Sequence, residues 1–145
     1  MTSGHQASGY LLCAKCEGRF NTGGETWVIP RLWHDEAKFP LRQALLGHGG
    51  LPFSTSEFSV FEAAKIATVR PEQLVYFAAS IFWRAAVHDW QFHDRTTIRL
   101  KLGPYEEAFR RYLLGGRWPS NAILFVSSAP TWILCETARQ RRLTF

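Results

Sequence analysis

The chain has 145 residues, 46% of them hydrophobic and 14% aromatic, which excludes wholesale disorder and makes one domain the expectation. No apolar run is long enough to cross a bilayer, residues 1–10 have neither the basic nor the apolar region of a secretory leader, and three cysteines exclude a disulfide scaffold, so a cytoplasmic protein is expected. The net charge of +5 is uneven: residues 1–70 carry seven basic and six acidic side chains, residues 71–145 ten and six. A basic second half suits nucleic acid or another polyanion, and it also suits plain solubility.

Residues 1–9 are small and polar and read as flexible. Cys13 and Cys16 then form a C-x-x-C turn, the spacing that lets two thiolates reach one tetrahedral zinc. A closed site takes four ligands. The remaining candidates are His5, His34, His48, His88, His93 and Cys135, none at diagnostic spacing. Two other readings stay open, metal-free structural cysteines and a redox pair. The redox reading lacks the βαβ unit that usually carries it.

Glu17 to Phe20 can begin a short helix, which Asn21, Gly23 and Gly24 are expected to break. Pro30 kinks, interrupts or restarts the helical segment within 25–35. Pro40 to Leu46 reads as a short helix closed by Gly47. His48 to Pro52 is loop, and residues 53–69 read as a short hairpin or an irregular lead-in.

Residues 71–90 form the expected central helix. Pro71 suits the first turn, and Glu72 complements the positive end of the dipole. Leu74, Phe77, Ala78, Ile81, Phe82 and Ala85 recur at helical spacing, widened by Val75, Ala79, Trp83 and Ala86, so burial on several sides is expected. Ser80, Arg84 and His88 stand four apart and should share a face. An arginine within apolar surroundings needs a partner, for which Glu17 and Glu25 are the first candidates. The competing reading is an anion or phosphate site made by Ser80, Arg84 and His88, and a third lets Arg84 snorkel to water.

Thr96 to Leu102 alternates with period two, as a strand or as a loop wrapping the core. Tyr105 to Leu114 reads as an amphipathic helix, with Glu106–Arg110 and Glu107–Arg111 as pairs on a solvated face. Residues 121–127 and 131–135 read as two strands able to pair antiparallel. Arg139, Arg141 and Arg142 follow as a basic tail suited to nucleic acid. The fold class expected is α+β and mostly helical: a central buried helix over 71–90, smaller helices, and a short antiparallel hairpin near the C-terminus.

Three blocks, LLCAKCEGRFNTGGE, LVYFAASIFWRAAV and LGPYEEAFRRYLL, together resemble a group of uncharacterised bacterial proteins. Those proteins carry an LC-x-x-CE segment, an S-x-x-WR helix and an LG-x-Y-x-E-x-x-R helix, and the longer ones are similar at the front end to HNH-type (ββα-metal) nuclease modules. Cys13, Cys16 and Glu17 match the first segment, and Glu25 matches a second acidic position after it. Ser80, Trp83 and Arg84 match the helix, and Gly103, Tyr105 and Arg110 match the last block. The resemblance implies a zinc knuckle, of which this chain holds the second half. The upstream C-x-x-C and the His-bearing motif have no counterpart in it. The expectation is a zinc-knuckle-derived helical module that binds nucleic acid or a partner protein without catalysis of its own. The alternatives are an HNH-like metal-dependent nuclease, or part of one, and a structural or truncated remnant.

Overall fold

The structure is a computed structural model and describes residues 11–32, 39–48, 53–54, 59–91 and 97–126. The chain is α+β and mostly helical. Its helices are α1 (Ala14–Phe20), α2 (Thr26–Leu32), α3 (Pro40–Leu46), α4 (Pro71–Val87) and α5 (Tyr105–Leu113). Two short antiparallel ladders accompany them. β1 (Phe53–Ser54) pairs with β2 (Ser59–Val60), and β3 (Trp90–Gln91) pairs with β4 (Thr97–Ile98) in the register Trp90↔Ile98.

The Gly-Gly segment does not break the first helix. Asn21–Glu25 forms a π-helical turn that joins α1 to α2, with helical dihedrals at Phe20, Asn21 and Thr26. The Thr26 N–H reaches back to the Asn21 carbonyl, one residue further than in an α-helix. The reason is tertiary. A side chain at Gly24 would put its Cβ 2.8 Å from the Gln73 carbonyl oxygen and 2.9 Å from the Phe77 nitrogen, and one at Gly23 would collide with the Tyr76 ring. The two glycines are where this helix crosses α4 backbone to backbone. Pro30 lies inside α2, which runs on only to Leu32. Its missing N–H takes a donor from the helix two residues before the helix ends.

α4 carries two stripes, each facing a different part of the core. Leu74 and Phe77 pack with Trp27, Val28, Leu41, Ile66 and Val69. Tyr76, Ala79 and Trp83 pack with Phe20, Phe109, Leu113 and Trp118. The second cluster is largely aromatic: Phe20 meets Tyr76 and Trp83 edge-on, and Phe109 stacks on Trp118 at 5.3 Å. The third side of α4 is partly exposed. Ile81 and Phe82, expected in the buried stripe, are each 43% exposed.

α4 stops at Val87, three residues short of the expected end. His88 is already extended, at φ −129°, ψ 141°. The chain returns at β4 and closes over the helix end, where the Leu100 N–H takes the Ala85 carbonyl and the Arg99 guanidinium takes that of Ala86. The last carbonyls of a helix have no partner within it, and here the residues that follow β4 supply donors to two of them.

The expected strand at 121–127 is irregular over its described part, Asn121–Val126. A turn bonds the Ala122 N–H to Pro119, Trp118 donates its indole N–H to the Ala122 carbonyl, and Ile123 and Phe125 are about four-fifths exposed (80% and 81%). Without a neighbouring strand among the described residues, its β-type composition has no ladder to join. The partner segment 131–135 lies outside the described residues.

Candidate functional site

The C-x-x-C opens a helix. Cys13 is the residue before α1, in extended conformation, and Cys16 lies in the first turn. The Cys13 carbonyl accepts from the N–H groups of Cys16 (2.9 Å) and Glu17 (3.0 Å), which fixes the turn. Cys13 is exposed and Cys16 half-buried. The Cys16 backbone N–H, then the Cys16 thiol, hold the Cys13 thiol below its usual range, and the same thiol contact pushes Cys16 up.

Two thiols are half of a tetrahedral zinc set. Among the described residues no third His, Cys, Asp or Glu joins them. His48 and His88 are described and stand elsewhere, while His5, His34, His93 and Cys135 lie outside the described residues. The described residues therefore do not complete a zinc site.

The seam on α4 is an ion pair built around a buried hydroxyl. Arg84 donates through Nη2 to Glu25 Oε1 at 2.5 Å, and the two side chains are 28% and 16% exposed. The same nitrogen donates to Ser80 Oγ, and Nε donates to the Ser80 carbonyl, both at 3.2 Å. Ser80 is fully buried and donates its own proton to the Phe77 carbonyl at 2.7 Å. The Phe20 ring lies 5.5 Å from the guanidinium carbon, within cation–π range. Glu25 reaches this point because it closes the π turn that crosses α4. The other carboxylate offered, Glu17, is exposed and pairs with no cation among the described residues. His88 is not in the seam. With the helix ended at Val87 its ring turns instead to Trp90, edge-on at 5.0 Å.

Sequence reasoning did not find the depression between the end of α1 and the end of α5. It measures about 390 Å³ and is lined by Arg19, Thr22, Gly23, Tyr76, Leu113, Leu114 and Gly115. Tyr76 is one of its walls and donates its hydroxyl to the Leu113 carbonyl at 2.9 Å. Lys15 and Arg19 stand four apart on α1, both exposed, and neither pairs with a carboxylate among the described residues. On α5 the expected Glu107–Arg111 pair is present, and the expected Glu106–Arg110 pair is not. Glu107 takes both Arg110 (2.6 Å) and Arg111 (2.8 Å), and Glu106 pairs with neither. Arg139, Arg141 and Arg142 lie outside the described residues. Among the described residues no helix is long and apolar enough to cross a membrane.

No family model, curated protein or solved structure matches the chain.

Proposed function

We propose that this chain is a helical module that binds nucleic acid, derived from a zinc-knuckle segment of HNH type and acting without catalysis of its own. The observation that carries the reading is the pair Lys15 and Arg19. They share one helical face, project into solvent beside the thiols, and are left unneutralised by any described carboxylate, whereas Glu17 between them points to another face. Unpaired cations on a rigid helix are what a phosphate backbone contacts. The sequence adds Arg139, Arg141 and Arg142 and a net charge of +5.

Fluorescence anisotropy with a labelled duplex and a labelled single strand tests this. Binding at low salt should weaken steeply as salt rises, because each neutralised phosphate releases a counterion. Lys15→Glu with Arg19→Glu should flatten that salt dependence, and removing residues 139–145 should flatten it further. No binding at low salt would move the assignment to a protein partner, and cleavage of the probe with added divalent metal would move it to a nuclease.

A further inference from the structure

Nucleic-acid binding leaves the thiols themselves without a task. Cys13 and Cys16 sit on one helical turn, on a backbone held by the 2.9 Å bond from the Cys16 N–H to the Cys13 carbonyl. One thiol faces solvent and the other is partly covered. No described His, Cys, Asp or Glu is placed to share them with a metal. Lys15, between the two cysteines, and Arg19, one turn beyond, are cations on the same helix whose charge acts on Cys16.

We propose that Cys13 and Cys16 are a reversible dithiol–disulfide pair that exchanges with small anionic disulfides of the glutathione class. Cys13 is the attacking sulfur because an external disulfide can reach it in line. Its thiolate displaces one glutathione thiolate and forms a mixed disulfide; the released thiolate takes up a proton. Cys16 then loses its proton and attacks the Cys13 sulfur, which expels the second glutathione thiolate, also protonated on release. Two protein thiols are oxidised by two electrons, and one glutathione disulfide is reduced to two thiols. Lys15 and Arg19 attract the carboxylates of the incoming disulfide.

The test uses the full chain. It is equilibrated at a series of ratios of oxidised to reduced glutathione, quenched with acid, labelled with a maleimide, and read by intact mass and peptide mapping, with zinc measured on the same sample. The expected result is one two-electron transition in which the peptide holding Cys13 and Cys16 loses two hydrogens while Cys135 stays open to the label. Cys16→Ser should stop at a mixed disulfide on Cys13, and Cys13→Ser should lose that adduct. Helical circular dichroism checks that both variants are folded, and the wild-type transition decides the matter without them. Full labelling of both thiols at the most oxidising ratio would overturn the proposal. So would a bridge to Cys135, or bound zinc that shields the thiols until a chelator removes it.

Discussion

Arg84 and Glu25 are 59 residues apart in sequence and meet at 2.5 Å across the crossing of two helices. The contact joins the π turn after the cysteines to the central helix. It exists only because Gly24 lets the two backbones close to that distance. Arg84 also spans Ser80, so three residues of one seam hold a single geometry.

Removing the guanidinium should therefore strand the carboxylate. Arg84→Met is expected to cost about 3 kcal/mol, the low end of the range for breaking a buried pair, because both side chains keep some contact with water. Replacing Glu25 by Leu as well should recover much of that loss, which makes the double-mutant coupling the informative quantity. Urea denaturation of the wild type, both single variants and the double variant measures it. If Arg84→Met left stability unchanged and abolished anion binding, the seam would be a ligand site instead.

The glycines separate packing from local preference. Gly24→Ala should lose about 1–3 kcal/mol, since the new methyl meets backbone atoms of Gln73 and Phe77 that cannot rotate away. Gly23→Ala should cost roughly 1 kcal/mol, because Tyr76 can turn aside and forfeits its hydrogen bond to Leu113. Gly18→Ala is the control. Nothing lies within 4 Å of that position, so a gain of roughly 0.4–1 kcal/mol is expected from helix preference alone. Thermal melts of the three variants should fall in that order.

What the sequence carried and what it did not divide along one line. α4 and α5 were legible because Pro71, the apolar stripe and the Glu-to-Arg order of α5 are local signals. A carboxylate for Arg84 was legible because an arginine among apolar neighbours needs one. Gly23 and Gly24 were misread because glycine pairs interrupt helices in isolation, and only the approach of α4 turns them into a crossing. His88 was misplaced because four-residue spacing holds only while the helix lasts. Arg99 and Leu100, more than ten residues later, decide where it stops. Glu107 took both arginines because the third and fourth positions onward are both within reach, and spacing alone does not choose between them.

The two thiols should differ in reactivity with pH. Cys13 is held low by the Cys16 N–H and thiol, so it keeps a thiolate fraction at a pH where Cys16, pushed up by the same contact, stays protonated. Iodoacetamide labelling of the reduced chain, followed by peptide mapping, should modify Cys13 first, with the gap narrowing as pH rises. Cys16→Ala should raise the pH at which Cys13 reacts, because the thiol donor is removed while the backbone donor remains. Equal rates at both cysteines across the pH range would contradict this arrangement.

α5 should carry a measurable acid sensitivity. Arg110 and then Arg111, both bonded to its oxygens, pull the Glu107 carboxyl down from 4.5 to about 2. Its folded pKa is thus below its unfolded one, so the unfolded chain binds the proton more readily. The stabilisation is present in full above the unfolded value of 4.5 and disappears as pH falls through about 2. Glu107→Gln removes the charge at every pH and keeps the shape. Wild type should melt above the variant at neutral pH, the difference should shrink as pH is lowered through that window, and the two curves should meet at its acid end. The carboxylate is fully exposed, so added salt should reduce the difference as well. Melting curves for both proteins across that pH window, at low and high salt, test the ion pair directly: a pH-independent difference would assign the effect of the substitution to helix preference, not to Arg110 and Arg111.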